Sequence, residues 1–298
     1  MDISGVYPPI ATPFNAEGSV DRDALEANVQ KWNETGLAGY VVAGSNGESV
    51  LLEAEEVLEA VRAVRDAALP AQRVIAGTGR QSTAATIRLT EKAAEAGAEI
   101  ALVMTPCFYA KEMTPAALIQ HYERLADASP LPILIYNVPK FTHLNISPET
   151  VAYLAAHERI LGIKDSAGDI GQIIDLVRLC PSDFNILVGN GPAFFSALQA
   201  GACGGILALA NVAPRECVAI WELVNAGRYE EAREIHYRLM PVGRAVTSAY
   251  GIPGLKGSLD LLGYRGGNPR PPLLPADGTT RERLKEILVA AKLLSPSP

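Results

Sequence analysis

The chain has 298 residues, 48% of them hydrophobic and 20% charged, which is enough apolar material for one large core with an extension. A formal net charge of −7 disfavours nucleic acid as the main partner, while a local site can still attract a small anion. Cys107, Cys180, Cys203 and Cys217 show no CxxC spacing and lie in apolar stretches, so they read as reduced core thiols in a reducing compartment and not as a metal cluster.

The N-terminal "MDISGVYPPIATPF" has an acidic residue and neither a basic segment nor an apolar stretch before Pro8, so it does not read as a signal or transit peptide. No apolar run reaches the roughly 20 residues of a membrane span. A cytoplasmic protein is expected. Short runs rich in Val, Ile and Leu then alternate with longer amphipathic segments: "VYPPIATPF", "GYVVAG", "RVIAGTG", "IALVMT", "PILIYN", "ILGIKD", "NILVG" and "GGILAL". Strands alternating with helices around a parallel sheet, about eight times over, predict a closed (β/α)8 barrel of the TIM type.

The helices between them carry start signals, such as Ser147 followed by Pro148, Thr114 followed by Pro115, and an acidic first turn in "SVDRDALEANVQKW". Gly36 and Gly97 follow helical runs where a left-handed cap is expected. After "GGILALANV" only helical periodicity remains. The expected organisation is a barrel over 1–225 that carries the site, then a C-terminal helical region over 226–298, with the Pro-rich link "GGNPRPPLLPADG" before the last helix.

In such a barrel the strand ends and following loops converge on one mouth. There "GIKDS" ends an apolar strand on Lys164, a charge that is costly to bury without a use or a partner. Two readings stay open. An apolar wall disfavours the ammonium form, and the free amine adds to a ketone to give a Schiff base; alternatively Lys164 pairs with Asp165 or another carboxylate. Tyr136 ends the preceding strand and is placed to meet it. In "AGSNGES" the glycines Gly44 and Gly47 permit positive backbone angles, and Ser45, Asn46 and nearby amides can converge on a carboxylate, although the same residues suit a plain turn. Tyr109, in "TPCFYAKEM", offers a phenol, with a surface or interface role the stronger reading. His121, His143, His157 and His236 have no metal-ligand spacing, and neither "GTGRQST" nor "GNGPAFF" makes a nucleotide-binding loop.

Taken in order, "YPPIATPF", "GSNGES", "VMTPCFY", "ILIYNVP", "GIKDSAGD", "ALANVAP" and "YGIPGLK" resemble the class I pyruvate-dependent aldolases, which include dihydrodipicolinate synthase and N-acetylneuraminate lyase. Within that superfamily "GSNGE", "TPCFY", "AALIQHY", "KDSAGD" and "YGIPGLK" are most similar to 4-hydroxy-2-oxoglutarate aldolase. The resemblance implies a (β/α)8 barrel with a C-terminal helical region, a homotetramer built as a dimer of dimers, and no metal or cofactor. It implies Lys164 as the Schiff-base lysine and Tyr136 as the acid/base phenol. Ser45 and Asn46 would hold the carboxylate of pyruvate, with Ser45 relaying protons to a tyrosine of the neighbouring subunit. Tyr109 is the candidate for that tyrosine, unless Phe108 takes the position. Gly189 and the backbone carbonyl of Ile206 would line the site.

Departures from the family pattern fall on the second substrate. Phe141 stands where the synthases carry a carboxylate-gripping arginine, and Phe141 with His143 replaces the small polar residue and glycine of the hydroxy-oxoglutarate aldolases. Lys140 or His143 is left to meet a distal carboxylate. The expected reaction is cleavage of 4-hydroxy-2-oxoglutarate to pyruvate and glyoxylate. The alternatives are condensation of pyruvate with aspartate semialdehyde, a pyruvate aldolase or hydratase-aldolase for a more apolar aldehyde, and a 2-oxo-acid sensor without turnover.

Overall fold

The fold, seen in a computed structural model that describes residues 1–295, is the expected (β/α)8 barrel followed by C-terminal helices. The strands are β1 (Gly5–Tyr7), β2 (Gly39–Val42), β3 (Arg73–Gly77), β4 (Ile100–Met104), β5 (Ile133–Asn137), β6 (Ile160–Asp165), β7 (Asn185–Val188) and β8 (Gly204–Ile206). They form one parallel sheet in which β1 pairs β8 and each of β3 to β8 pairs its predecessor. Ring closure between β1 and β2 rests on backbone bonds from Ala38 to Val6 (3.1 Å), Val41 to Pro8 (3.0 Å) and Ile10 to Val41 (3.0 Å).

The period-two alternation of each strand divides its side chains between two apolar layers. Tyr7, Val41, Ile75, Leu102, Leu134, Leu187 and Ile206 fill the barrel interior. Val6, Val42, Val74, Val103, Ile135 and Val188 face the surrounding helices. Strands buried on both faces have to be apolar throughout, which is why they read in the sequence as short Val and Ile runs.

The helices are α1 (Arg22–Trp32), α2 (Ala54–Ala67), α3 (Thr83–Glu95), α4 (Pro115–Ala128), the short α5 (Pro139–Thr142), α6 (Pro148–Leu154), α7 (Ile170–Leu179), α8 (Phe194–Gln199) and α9 (Pro214–Asn225). Beyond them lie α10 (Tyr229–Arg244), a π-helical turn at Ala245–Ala249, α11 (Gly251–Leu261) and α12 (Gly278–Ala290). Thr114 and Ser147 cap α4 and α6 through Ala117 N–H and Thr150 N–H. Gly36 and Gly97 adopt φ of +81° and +100°, the left-handed stops expected of them.

Two expectations change. Of "VYPPIATPF" only Val6 and Tyr7 join the ladder, together with Gly5 before them, because Pro8 and Pro9 have no N–H to donate, and the run continues as an isolated bridge from Pro9 to Val41. All four cysteines are free as expected, yet Cys107 and Cys203 are only partly buried, so "core thiol" fits Cys180 and Cys217 alone. Among the described residues no helix is long and apolar enough to cross a membrane.

Candidate active site

Lys164 is the last residue but one of β6 and pairs in register with Tyr136, the last but one of β5. Both side chains point into the barrel mouth: Lys164 is 2% exposed, and its Nζ stands 4.0 Å from the centroid of the Tyr136 ring. The inward aim depends on a slip in pairing. Ile133 pairs Ile160, but the next residue, Leu134, pairs Gly162, so β6 carries one extra residue at Leu161. Such a bulge re-aims every side chain after it. Strict alternation counted from Ile160 with no slip would instead turn Asp165 inward and Lys164 outward. Gly162 is required beside the bulge, because a Cβ there would sit 2.3 Å from the Asn185 carbonyl oxygen of β7.

Asp165, the carboxylate weighed as a partner for Lys164, is turned away from it and fully engaged. It accepts hydrogen bonds from Asn137 Nδ2 (2.7 Å), Gln172 Nε2 (2.7 Å) and the Ala167 amide (3.1 Å). Burial raises its carboxyl above the usual range in spite of those three bonds. Lys164 therefore stands as a buried amine at the mouth with an aromatic face as its neighbour and no ion pair among the described residues.

Ser45 Oγ lies 3.1 Å from Tyr136 Oη, so hydroxyl, phenol and amine form a continuous set across β2, β5 and β6. Ser45 and Asn46 sit on a 3-10 turn, Ser45–Gly47, directly after β2, and both are half-buried. The turn is tight, but its positive backbone angles fall on Ala43 (+52°) and Glu48 (+59°), not on Gly44 and Gly47. Gly47 is needed for close approach instead: a Cβ there would lie 3.0 Å from the Ile10 carbonyl oxygen.

Gly189, just past β7, also belongs to this mouth. A Cβ on it would come within 3.0 Å of Lys164 Cε and 1.9 Å of Ser166 Oγ. That places Ser166 in the site, where its buried hydroxyl has no hydrogen-bond partner. An orphan hydroxyl in a polar mouth is a group waiting for a ligand or water. The sequence reading missed it, since a serine after a strand-end "KD" looks like ordinary loop chemistry; the "KDS" run itself was the available signal. Ile206 ends β8, with its side chain fully buried in the interior layer.

Other residues singled out in the sequence stand apart from this set within the single chain. Tyr109 is 68% exposed and Phe108 77%, packed edge-on against each other on the loop after β4. Gln81 Oε1 holds that loop through the Cys107 and Phe108 amides, both at 2.9 Å. Phe141 and His143 are exposed on and after α5, and His143 adopts φ of +55°. Lys140 Nζ reaches the Thr247 carbonyl at 3.4 Å and lies over the Phe141 ring. Among the described residues no cluster of three His, Cys, Asp or Glu side chains is arranged to hold a metal ion.

Known proteins share both the sequence and this arrangement of strands. The model of the dihydrodipicolinate synthetase family matches residues 2–291. A 4-hydroxy-tetrahydrodipicolinate synthase of Methanothrix thermoacetophila is 37% identical over 289 residues, 95% of each chain. The solved dihydrodipicolinate synthase of Thermotoga maritima superposes with a TM-score of 0.92 at 35% identity, over 98% of this chain and 99% of that one. The chloride-inhibited dihydrodipicolinate synthase of Acinetobacter baumannii, solved with pyruvate, gives 0.93 at 30% identity, over 98% and 100%. The match spans essentially the whole chain, and the chain belongs to the dihydrodipicolinate synthetase family, within the class I pyruvate-dependent aldolases.

Proposed function

We propose that the protein makes or breaks a carbon–carbon bond at C3 of pyruvate through a Schiff base on Lys164. The observation that carries this reading is a buried, unpaired amine facing a phenol that is itself bonded to a hydroxyl. The free amine adds to C2 of pyruvate, and the carbinolamine loses its hydroxyl as water when Tyr136 supplies the proton. The resulting iminium withdraws electrons, so Tyr136 can take a proton from C3 and leave an enamine. C3 then attacks an aldehyde carbon, a proton ends on the new hydroxyl, and water releases the product from Lys164. Run backwards, the same steps cleave a 4-hydroxy-2-oxo acid. The iminium is the electron sink, so the chemistry requires no metal or cofactor.

Ser45 connects Tyr136 to the mouth as a proton relay, and Ser45 with Asn46 holds the pyruvate carboxylate. Gly189 leaves room for the adduct beside Lys164 Cε, and the Ile206 carbonyl at the end of β8 lines the site. Tyr109 or Phe108 from a neighbouring subunit completes the mouth in a homotetramer, and the protein works in the cytoplasm on small 2-oxo acids, with no nucleic acid or membrane partner.

For the second substrate the relatives reverse the order expected from the motifs. Those similar along the whole chain carry the name 4-hydroxy-tetrahydrodipicolinate synthase, which favours condensation of pyruvate with aspartate semialdehyde over cleavage of 4-hydroxy-2-oxoglutarate. A second reading, a more apolar aldehyde, is kept for one observation: α5 presents an exposed phenyl at Phe141 and no guanidinium to clamp the second carboxylate that aspartate semialdehyde and 4-hydroxy-2-oxoglutarate both carry. Borohydride reduction with pyruvate, followed by peptide mass mapping, is expected to leave a reduced pyruvyl group on Lys164. No adduct at saturating pyruvate overturns the Schiff base. Pyruvate consumption with aspartate semialdehyde is then compared with pyruvate release from 4-hydroxy-2-oxoglutarate, and turnover of neither refutes both substrate assignments.

A further inference from the structure

Two charged residues in the motifs "GSNGES" and "YGIPGLK" have no part in the chemistry above. Glu48 and Lys256 meet at 2.7 Å, and each side chain is only 1% exposed. Burying a charge is costly unless its partner and further hydrogen bonds compensate it, and here Glu48 Oε1 has the Lys256 ammonium while other groups meet the rest of the pair. Glu48 Oε2 accepts the Arg270 amide at 2.8 Å. Lys256 Nζ donates to the Asn268 carbonyl at 2.9 Å and lies over the Phe14 ring at 4.3 Å, with the Arg270 guanidinium also 4.3 Å from that ring. Arg270 in turn bonds Glu56 of α2 and the Leu51 carbonyl.

Glu48 closes the turn that carries Ser45. Its amide donates to the Ser45 carbonyl at 3.2 Å, and it holds a left-handed φ of +59° that a side chain adopts only when its surroundings impose it. The Glu48 side chain at that angle is held by Lys256 of α11 and by the Arg270 amide. We infer that Glu48 and Lys256 are positioning residues: the C-terminal region sets the carboxylate loop so that Ser45 Oγ reaches Tyr136 Oη. This rests on the Schiff-base reading of Lys164. A surface tether between the C-terminal region and the barrel would not need a buried charge pair, and it would not act on the one loop whose hydroxyl meets the phenol.

The test uses exchange of the pyruvate methyl protons for deuterium, which follows enamine formation and needs no aldehyde. Lys256→Met is expected to keep the borohydride adduct on Lys164 at saturating pyruvate, to raise the pyruvate concentration for half-maximal trapping, and to slow exchange about tenfold or more. Because Lys256 acts through Ser45, adding Lys256→Met to Ser45→Ala is expected to slow exchange by less than about twofold beyond Ser45→Ala alone. Should Lys256→Met fail to fold, Glu48→Gln with Lys256→Met leaves no unpaired buried charge and carries the same comparison. Exchange within about twofold of wild type in the folded variant, or losses that multiply with Ser45→Ala, overturn the inference. Absence of an adduct in the wild-type protein overturns the Schiff-base reading and this inference with it; a wild-type adduct with unchanged exchange in the variant overturns this inference alone.

Discussion

Replacing Tyr136 with phenylalanine removes one oxygen and keeps the ring, and the structure separates the two consequences. The ring is 5% exposed, belongs to the barrel interior and supplies the face over which Lys164 Nζ sits at 4.0 Å. All of that survives in Tyr136→Phe. The loss is the 3.1 Å hydrogen bond to Ser45, worth about 1 kcal/mol of stability at a site where Ser45 can rehydrate. The catalytic loss is larger, because general acid–base catalysis contributes roughly 10²–10⁴ in rate, or about 3–5 kcal/mol of barrier. The expected outcome is a small shift in the denaturation midpoint beside a collapse of pyruvate methyl exchange. Borohydride trapping on Lys164 should slow without disappearing, since the amine remains in place. Exchange within about threefold of wild type, in a variant that folds normally, would refute the assignment of proton transfer to Tyr136.

Gly162→Ala tests the bulge: its Cβ would meet the Asn185 carbonyl oxygen at 2.3 Å, so a loss of about 1–3 kcal/mol in urea unfolding is expected, with reduced trapping on Lys164 as the strand end shifts. Wild-type stability and trapping together would show that the pairing slip does not aim the lysine. His121 predicts the acid limb of stability. It is 6% exposed, its Nδ1 is bonded to Thr83 Oγ1 at 2.8 Å, and burial holds the imidazole down at about 4. A histidine depressed in the folded state contributes stability that is complete above the unfolded value of about 6.5 and is lost as pH falls from there toward 4; the full loss is about 3 kcal/mol. Denaturant titrations at pH 7 and pH 5 should show a decline that His121→Phe removes in part, and an equal decline in the variant would place the acid sensitivity elsewhere.

Some of this site was open to reading in the sequence because its physics is local. A strand buried on both faces has to be apolar throughout, so the eight strands announce themselves, and a lysine ending one of them is anomalous on energetic grounds alone. Tyr136 follows by the same reasoning, since both are strand-end residues of a barrel whose mouth is fixed by topology. The bulge at Leu161 was not readable. "RILGIKD" is as good a pattern for an uninterrupted strand as for a slipped one, and only the contact of Gly162 with β7 decides between them. Without it the period-two rule places Asp165 inside, and the two open readings of Lys164 could not be separated.

Glu48 and Lys256 show a different limit. Each appears in a short motif, but their meeting depends on how the whole C-terminal region returns across the barrel, and no local periodicity encodes a contact between residues so far apart. The second substrate is less legible again, for a physical reason. Amine chemistry needs a fixed point, and the rigid strands β5 and β6 provide it, so the residues that perform it are read from strand pattern. Recognition of the aldehyde is left, under the proposed chemistry, to the loops after β4 and β5, where Phe108, Tyr109 and Phe141 stand exposed in the single chain. Large exposed aromatic side chains at an enzyme mouth are completed by what covers them, either a neighbouring subunit or the substrate. On the proposed reading, specificity is a property of the assembled mouth, while the Schiff-base chemistry is a property of two adjacent strands.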